Sequence, residues 1–163
     1  MRTKKTKKLP RGLRNRNPLN IRKSDQLWQG QTGNDGTFCI FLNNAYGYRA
    51  GFKILKTYNV KYHIYSVREI IKRWAPESDG NNTRGYIQRV CEIACLRETD
   101  IIVADTQDVI QQENVKFLVQ AMACVENGCA ESQISMNEID EGYALAFPKQ
   151  INNHNTNTKS TWK

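Results

Sequence analysis

The chain is short of several things at once. It has no acidic residue in its first 23 positions, only two histidines and only four prolines in 163 residues. No run approaches the 18 or so consecutive apolar residues of a membrane helix. There is no glycine-rich phosphate loop, no HExxH pair and no G-x-S-x-G elbow, which sets aside nucleotide-dependent, zinc-hydrolase and serine-hydrolase chemistry of the usual kinds, and no cofactor is expected. The charged N-terminus is not followed by an apolar stretch and cleavage site, so it does not read as a secretory signal. A protein of this kind is expected in a host cytoplasm or a particle, and action on a cell wall would need lysis or delivery.

What is present is unevenly placed. Residues 1–23 hold ten of the 24 lysines and arginines, and the remainder has 14 basic against 16 acidic residues. Residues 1–10 therefore read as a basic disordered arm in which Lys4, Lys5, Lys7 and Lys8 attract polyanions: nucleic acid, wall or lipopolysaccharide phosphate, or an acidic partner protein. No aromatic ring interrupts the arm, so it offers no platform for base stacking. A simple solubilising or packaging tail is the competing reading. Five cysteines, Cys39, Cys91, Cys95, Cys124 and Cys129, suit reduced thiols. A zinc site from the last four is the alternative, although their spacing is not that of paired knuckles.

Periodicity makes the rest mostly helical. Arg11 to Ser24 is rich in Asn, Gly and Pro and reads as turns. Thr37 to Leu42 alternates as a short strand. Tyr46 to Tyr58 has a helical apolar face, and Ser66-Val-Arg-Glu69 is a capping box opening a helix stopped by Pro76. Thr83 is expected to cap the next helix, and Ser135-Met-Asn-Glu138 to box the last one, which ends at Pro148. Residues 148–163 read as a polar tail. The expected architecture is α+β, mostly helical, a single domain over 11–147 with a small N-terminal β lobe.

The longest helix runs from Asn114 to Gly128, with Phe117, Leu118, Ala121, Met122 and Val125 inward. Asn127-Gly128 supplies a left-handed stop. Glu126 therefore sits in the final turn, where the helix dipole opposes a negative charge, and partial burial would oppose it further. That is a setting for a general acid. A solvated glutamate at a frayed helix end is the plainer reading.

Arg11-Gly-Leu-Arg-Asn-Arg-Asn-Pro-Leu-Asn-Ile-Arg22, Trp28-Gln-Gly30, Gly47-Tyr-Arg-Ala50, Ile70-Ile-Lys-Arg-Trp-Ala-Pro76, Asn82-Thr83 and Tyr86-Ile87 resemble a family of small phage and prophage proteins labelled minor virion structural proteins. The chain departs from that pattern at Arg16, where the family tends to have Asn, and at Glu77 to Asn81, where the loop is one residue longer and its usual Glu is displaced. A second resemblance is to lysozyme-like glucosaminidases and lytic transglycosylases, in a circularly permuted order. Leu118, Gln120, Ala121, Glu126 and Gly128 resemble their catalytic helix. Asn17 to Arg22, Trp28 to Gly30 and Phe38 to Phe41 resemble the turn, Trp-x-Gly and strand around it.

The resemblance implies a lysozyme-like fold and cleavage of peptidoglycan glycan strands, with Glu126 as proton donor. The second carboxylate would be Asp35 or Asp25, unless the muramyl hydroxyl closes on its own anomeric carbon and one glutamate suffices. Asn17, Asn20, Trp28, Tyr46 and Tyr48 would grip sugar, with core packing the alternative for the aromatic residues and turn-holding for the asparagines. Phage DNA or virion proteins are the partners expected of the arm.

Overall fold

The computed structural model describes residues 8–149. The fold is α+β, as the sequence predicts, and is dominated by helices: α1 (Arg11–Arg14), α2 (Asn44–Tyr62), α3 (Val67–Trp74), α4 (Thr83–Ala94), α5 (Val109–Asn127) and α6 (Met136–Ala146). Among the described residues one sheet pairs β1 (Gln31–Asn34) with β2 (Cys39–Phe41) in antiparallel register, with a bulge between Gln31 and Gly33. Of the two strands only β2 was legible. β1 reads Gln-Thr-Gly-Asn and buries no side chain fully, so its pairing is fixed by the neighbouring strand and not by its own pattern.

Helix α5 is the axis of the body. Leu118, Val119, Ala121, Met122, Ala123 and Cys124 are all buried, so the helix is covered on nearly every side by α4, α6 and α1. Phe117, predicted inward, is instead 40% exposed. α2 packs mainly on α6, where Phe52, Tyr143 and Phe147 meet edge to face.

The caps explain where the helices start. Ser66 and Glu69 form the full box on α3. On α4 the cap is Asn82, whose side chain accepts from Gly85 N–H; Thr83 is already helical and its buried hydroxyl donates to the Ala75 carbonyl, tying the end of α3 to the start of α4. On α6 only half the predicted box exists. Ser135 accepts from Glu138 N–H, but the Glu138 carboxylate turns away to accept from Asn44 Nδ2 at 3.1 Å on α2. A tertiary partner has outcompeted the local one.

The N-terminal lobe is laid against α2 and α5 by close backbone contact. A Cβ on Gly47 would come within 2.7 Å of the Arg16 carbonyl oxygen and 2.9 Å of Pro18 Cδ. Glycine there lets the Asn17-Pro18 turn rest on the helix. Arg16 itself has φ +53°, a left-handed backbone that Asn tolerates better than Arg. Lys4, Lys5 and Lys7, and most of the expected polar tail, lie outside the described residues; Lys8 is exposed ahead of α1.

Candidate functional site

The last turn of α5 brings Glu126 beside the early lobe. Gly128, with φ +56°, closes the helix, and Asn127 turns its amide inward to the Pro18 carbonyl at 2.7 Å and the Ala123 carbonyl at 2.8 Å. The first of these pins the end of the helix to the turn that carries Asn20; the second stays within α5. Gly12 packs behind both asparagines: a Cβ there would lie 2.6 Å from Asn127 Oδ1, 2.8 Å from Asn20 Oδ1 and 2.9 Å from the Asn17 carbonyl oxygen. Only a residue without a side chain fits.

Glu126 is half-buried, and its carboxylate accepts three side-chain hydrogen bonds from three separate elements. Trp74 Nε1, at the end of α3, donates to Oε1 at 3.0 Å. The Tyr86 hydroxyl, in the first turn of α4, donates to the same oxygen at 2.9 Å. Asn20 Nδ2 donates to Oε2 at 3.1 Å and to the Glu126 carbonyl at 3.2 Å. All three donors are uncharged, and no Lys or Arg pairs with Glu126 among the described residues. Burial, then the nearby Glu126 charge, pushes the Tyr86 phenol well above its usual range, so it stays a donor at every working pH.

This carboxylate lies on the wall of an open groove of about 500 Å³ between the early lobe and the α3–α4 junction. Asn20, Arg22, Trp28 and Phe38 line it from the lobe, Ile54 and Tyr58 from α2, and Trp74 and Asp79 from the other side. Asp79 is its other lining carboxylate.

The sequence candidates divide sharply. Asn20 and Trp28 line the groove with Glu126. Asn17 does not: it is 0% exposed and its side chain bonds Ile21 N–H, the Ile21 carbonyl and the Cys39 carbonyl, so it is the staple of the turn. Tyr48 is 1% exposed in the core, where burial raises its phenol pKa. Both are corrected from sugar contacts to structural residues. Tyr46 packs its ring against Gly30, which has φ +77° and no room for a Cβ.

Asp35 is absent from the groove lining and occupied elsewhere. Arg11 grips it through Nε at 2.7 Å and a second nitrogen at 2.9 Å; Asn15 Nδ2 adds 2.7 Å, and Thr37 and Phe38 N–H complete the set. The Arg11 guanidinium beside it holds its carboxyl far below the usual carboxylate range. Asp35 thus braces the hairpin turn onto α1. Asp25 is exposed in the loop before Trp28 and is likewise no part of the lining. Among the described residues no three His, Cys, Asp or Glu side chains gather as a metal site would need.

Trp74 and Tyr86 are what sequence reasoning missed, since both fall on apolar faces and read as core. The available signal was chemical. A buried indole N–H or phenol needs an acceptor, and few acceptors are uncommitted in an apolar interface.

No family model matches the chain. Protein P5 of Pseudoalteromonas phage PM2 is 37% identical to it over 142 residues, spanning 84% of this chain and 82% of that protein. At that identity and coverage the chain belongs to the same phage protein family as PM2 protein P5.

Proposed function

We propose that the protein cleaves peptidoglycan glycan strands, with Glu126 as the proton-transferring group. One observation carries the reading: a half-buried carboxylate at a helix end, oriented by three neutral donors, on the wall of a groove that also presents Trp28 and Asn20. Oε1 is fixed by two donors and Oε2 by one, so Oε2 is the oxygen with room for a proton and a substrate contact. Protonated there, Glu126 would donate to the glycosidic oxygen between N-acetylmuramic acid and N-acetylglucosamine as the bond breaks. The flat face of Trp28 and the Asn20 amide suit sugar rings and their hydroxyls. Asp35, bound to Arg11, fits the role of brace; Asp79, the other carboxylate on the wall, is exposed in the loop after Pro76, and the reading favours the route needing one carboxylate. In that route the muramyl hydroxyl attacks its own anomeric carbon and Glu126 accepts its proton. The permuted lysozyme-like fold belongs to this same reading, supported by the glutamate-ended helix packing on an Asn- and Trp-bearing β lobe.

Purified peptidoglycan treated with the parent protein should lose turbidity, and Glu126→Gln should abolish the loss with its melting temperature retained. A Glu126→Gln protein that clears the wall as well as the parent sinks the assignment of this residue.

A second reading, a non-enzymatic virion component, draws on the phage family and the cationic N-terminal region. The same turbidity assay separates the two.

A further inference from the structure

Charge is segregated within the folded body as well as at its N-terminus. Residues 8–68 contain eleven lysines and arginines and two acids, whereas residues 69–149 contain seven and fourteen. Four of those eleven cations lie on α2, whose 19 residues include Arg49, Lys53, Lys56 and Lys61 and no acid. All four line a second trough, of about 560 Å³, between α2 and the Gln26–Gln29 loop. Trp28 lines both this trough and the Glu126 groove.

Three features of the trough call for an anion. Lys53 lies close enough to Lys56 and Arg49 that burial, then their repulsion, lowers its pKa. Lys56 alone of the four has an acidic partner among the described residues, Asp105 at 2.6 Å. Arg49 Nε is buried with no hydrogen-bond acceptor among them. Arg49 and Lys61 are twelve residues apart, roughly 18 Å along the helix. That matches about five nucleotide steps at 3.4 Å. Leu27 and Val60, 76% and 66% exposed, give apolar surface beside the cations, and Trp28 a ring at one end.

We infer that the α2 trough is a nucleic-acid site: Arg49, Lys53, Lys56 and Lys61 contact phosphates along a strand, while Trp28 and the apolar rim meet its bases. A row of cations about as long as five nucleotide steps, next to a stackable ring, is the chemistry of sequence-indifferent strand binding. The site is separate from the N-terminal basic residues and does not depend on Glu126 being catalytic.

The test uses the full chain and labelled DNA of about 16 nucleotides, single-stranded and duplex, over a salt series. Lys53→Glu, Lys56→Glu and Lys61→Glu together should weaken binding at least about tenfold and flatten the slope of log K against log salt by about 2, since each phosphate contact contributes roughly 0.7 to 0.9. The neutral set Lys53→Gln, Lys56→Gln and Lys61→Gln should flatten the slope equally and guards against a folding defect. Arg84→Glu, Arg89→Glu and Arg97→Glu, the same change in net charge on the other half, should leave most of the slope in place. Unchanged affinity and slope in both α2 sets overturns the inference, as does an equal loss in the Arg84, Arg89 and Arg97 control. If the α2 sets instead lose binding only to anionic phospholipid vesicles while DNA binding persists, the site is a membrane contact and the inference falls.

Discussion

Tyr86, Gly12 and Asp35 have distinct jobs in and around the site that substitution separates. Tyr86→Phe removes one donor to Glu126 Oε1 and keeps the ring, so activity on peptidoglycan should fall about tenfold to a hundredfold, the range for a hydrogen bond of about 1.5–3 kcal/mol to a charged group. Its melting temperature should change little, because no large cavity is opened. Gly12→Ala does the opposite. The added methyl meets three oxygens behind Asn20 and Asn127, which should cost about 1–3 kcal/mol by overpacking and also disturb the Asn20 contact to Glu126. Thermal melting and turbidity together distinguish the two outcomes. Asp35 is a pH matter. Its folded pKa lies below the unfolded value near 4 because Arg11 grips it, so its contribution to stability is complete above about pH 4 and is lost as pH falls through the folded value. Asp35→Asn should lower the melting temperature at neutral pH and reduce its fall on acidification. A variant melting curve parallel to the parent's from pH 7 down to pH 2 contradicts the brace.

At the scale of elements, the strand β2, the boxed start of α3 and the glycine-closed end of α5 could be read locally, because each is fixed by interactions within a few residues. The misreadings share a cause in tertiary partners. Glu138 deserted its box for Asn44, Thr83 served the end of α3 and left the cap to Asn82, and Asn17 spent its amide on two carbonyls of the lobe. The site shows the same limit. Glu126 was visible from its place at a helix end, but Trp74 and Tyr86 come from 52 and 40 residues away in sequence and no spacing rule joins them to it. The left-handed turn at Arg16 offers a direct check on the lobe. Arg16→Asn should relieve about 1 kcal/mol of backbone strain and raise the melting temperature by about 2–4 °C. A lower melting temperature would mean that the arginine side chain compensates for its backbone.

For the whole molecule, the early lobe and α2 form a cationic side, and the helices behind Glu126 carry most of the acids. No helix among the described residues is long and apolar enough to cross a membrane. The groove and the trough meet at Trp28, so one ring borders both the Glu126 groove and the cationic trough of α2. Trp28→Ala should therefore weaken both activities, whereas Glu126→Gln should affect glycan cleavage alone. The activity proposed for this phage-family protein is the breaking of a glycosidic bond. Its most direct measurement is mass spectrometry of the fragments that the parent protein releases from purified peptidoglycan. Disaccharide-peptides with newly cut muramyl ends, chiefly in the anhydro form, should appear, and none from Glu126→Gln. Fragments cut only at peptide or amide bonds, or no fragments at all, would contradict it.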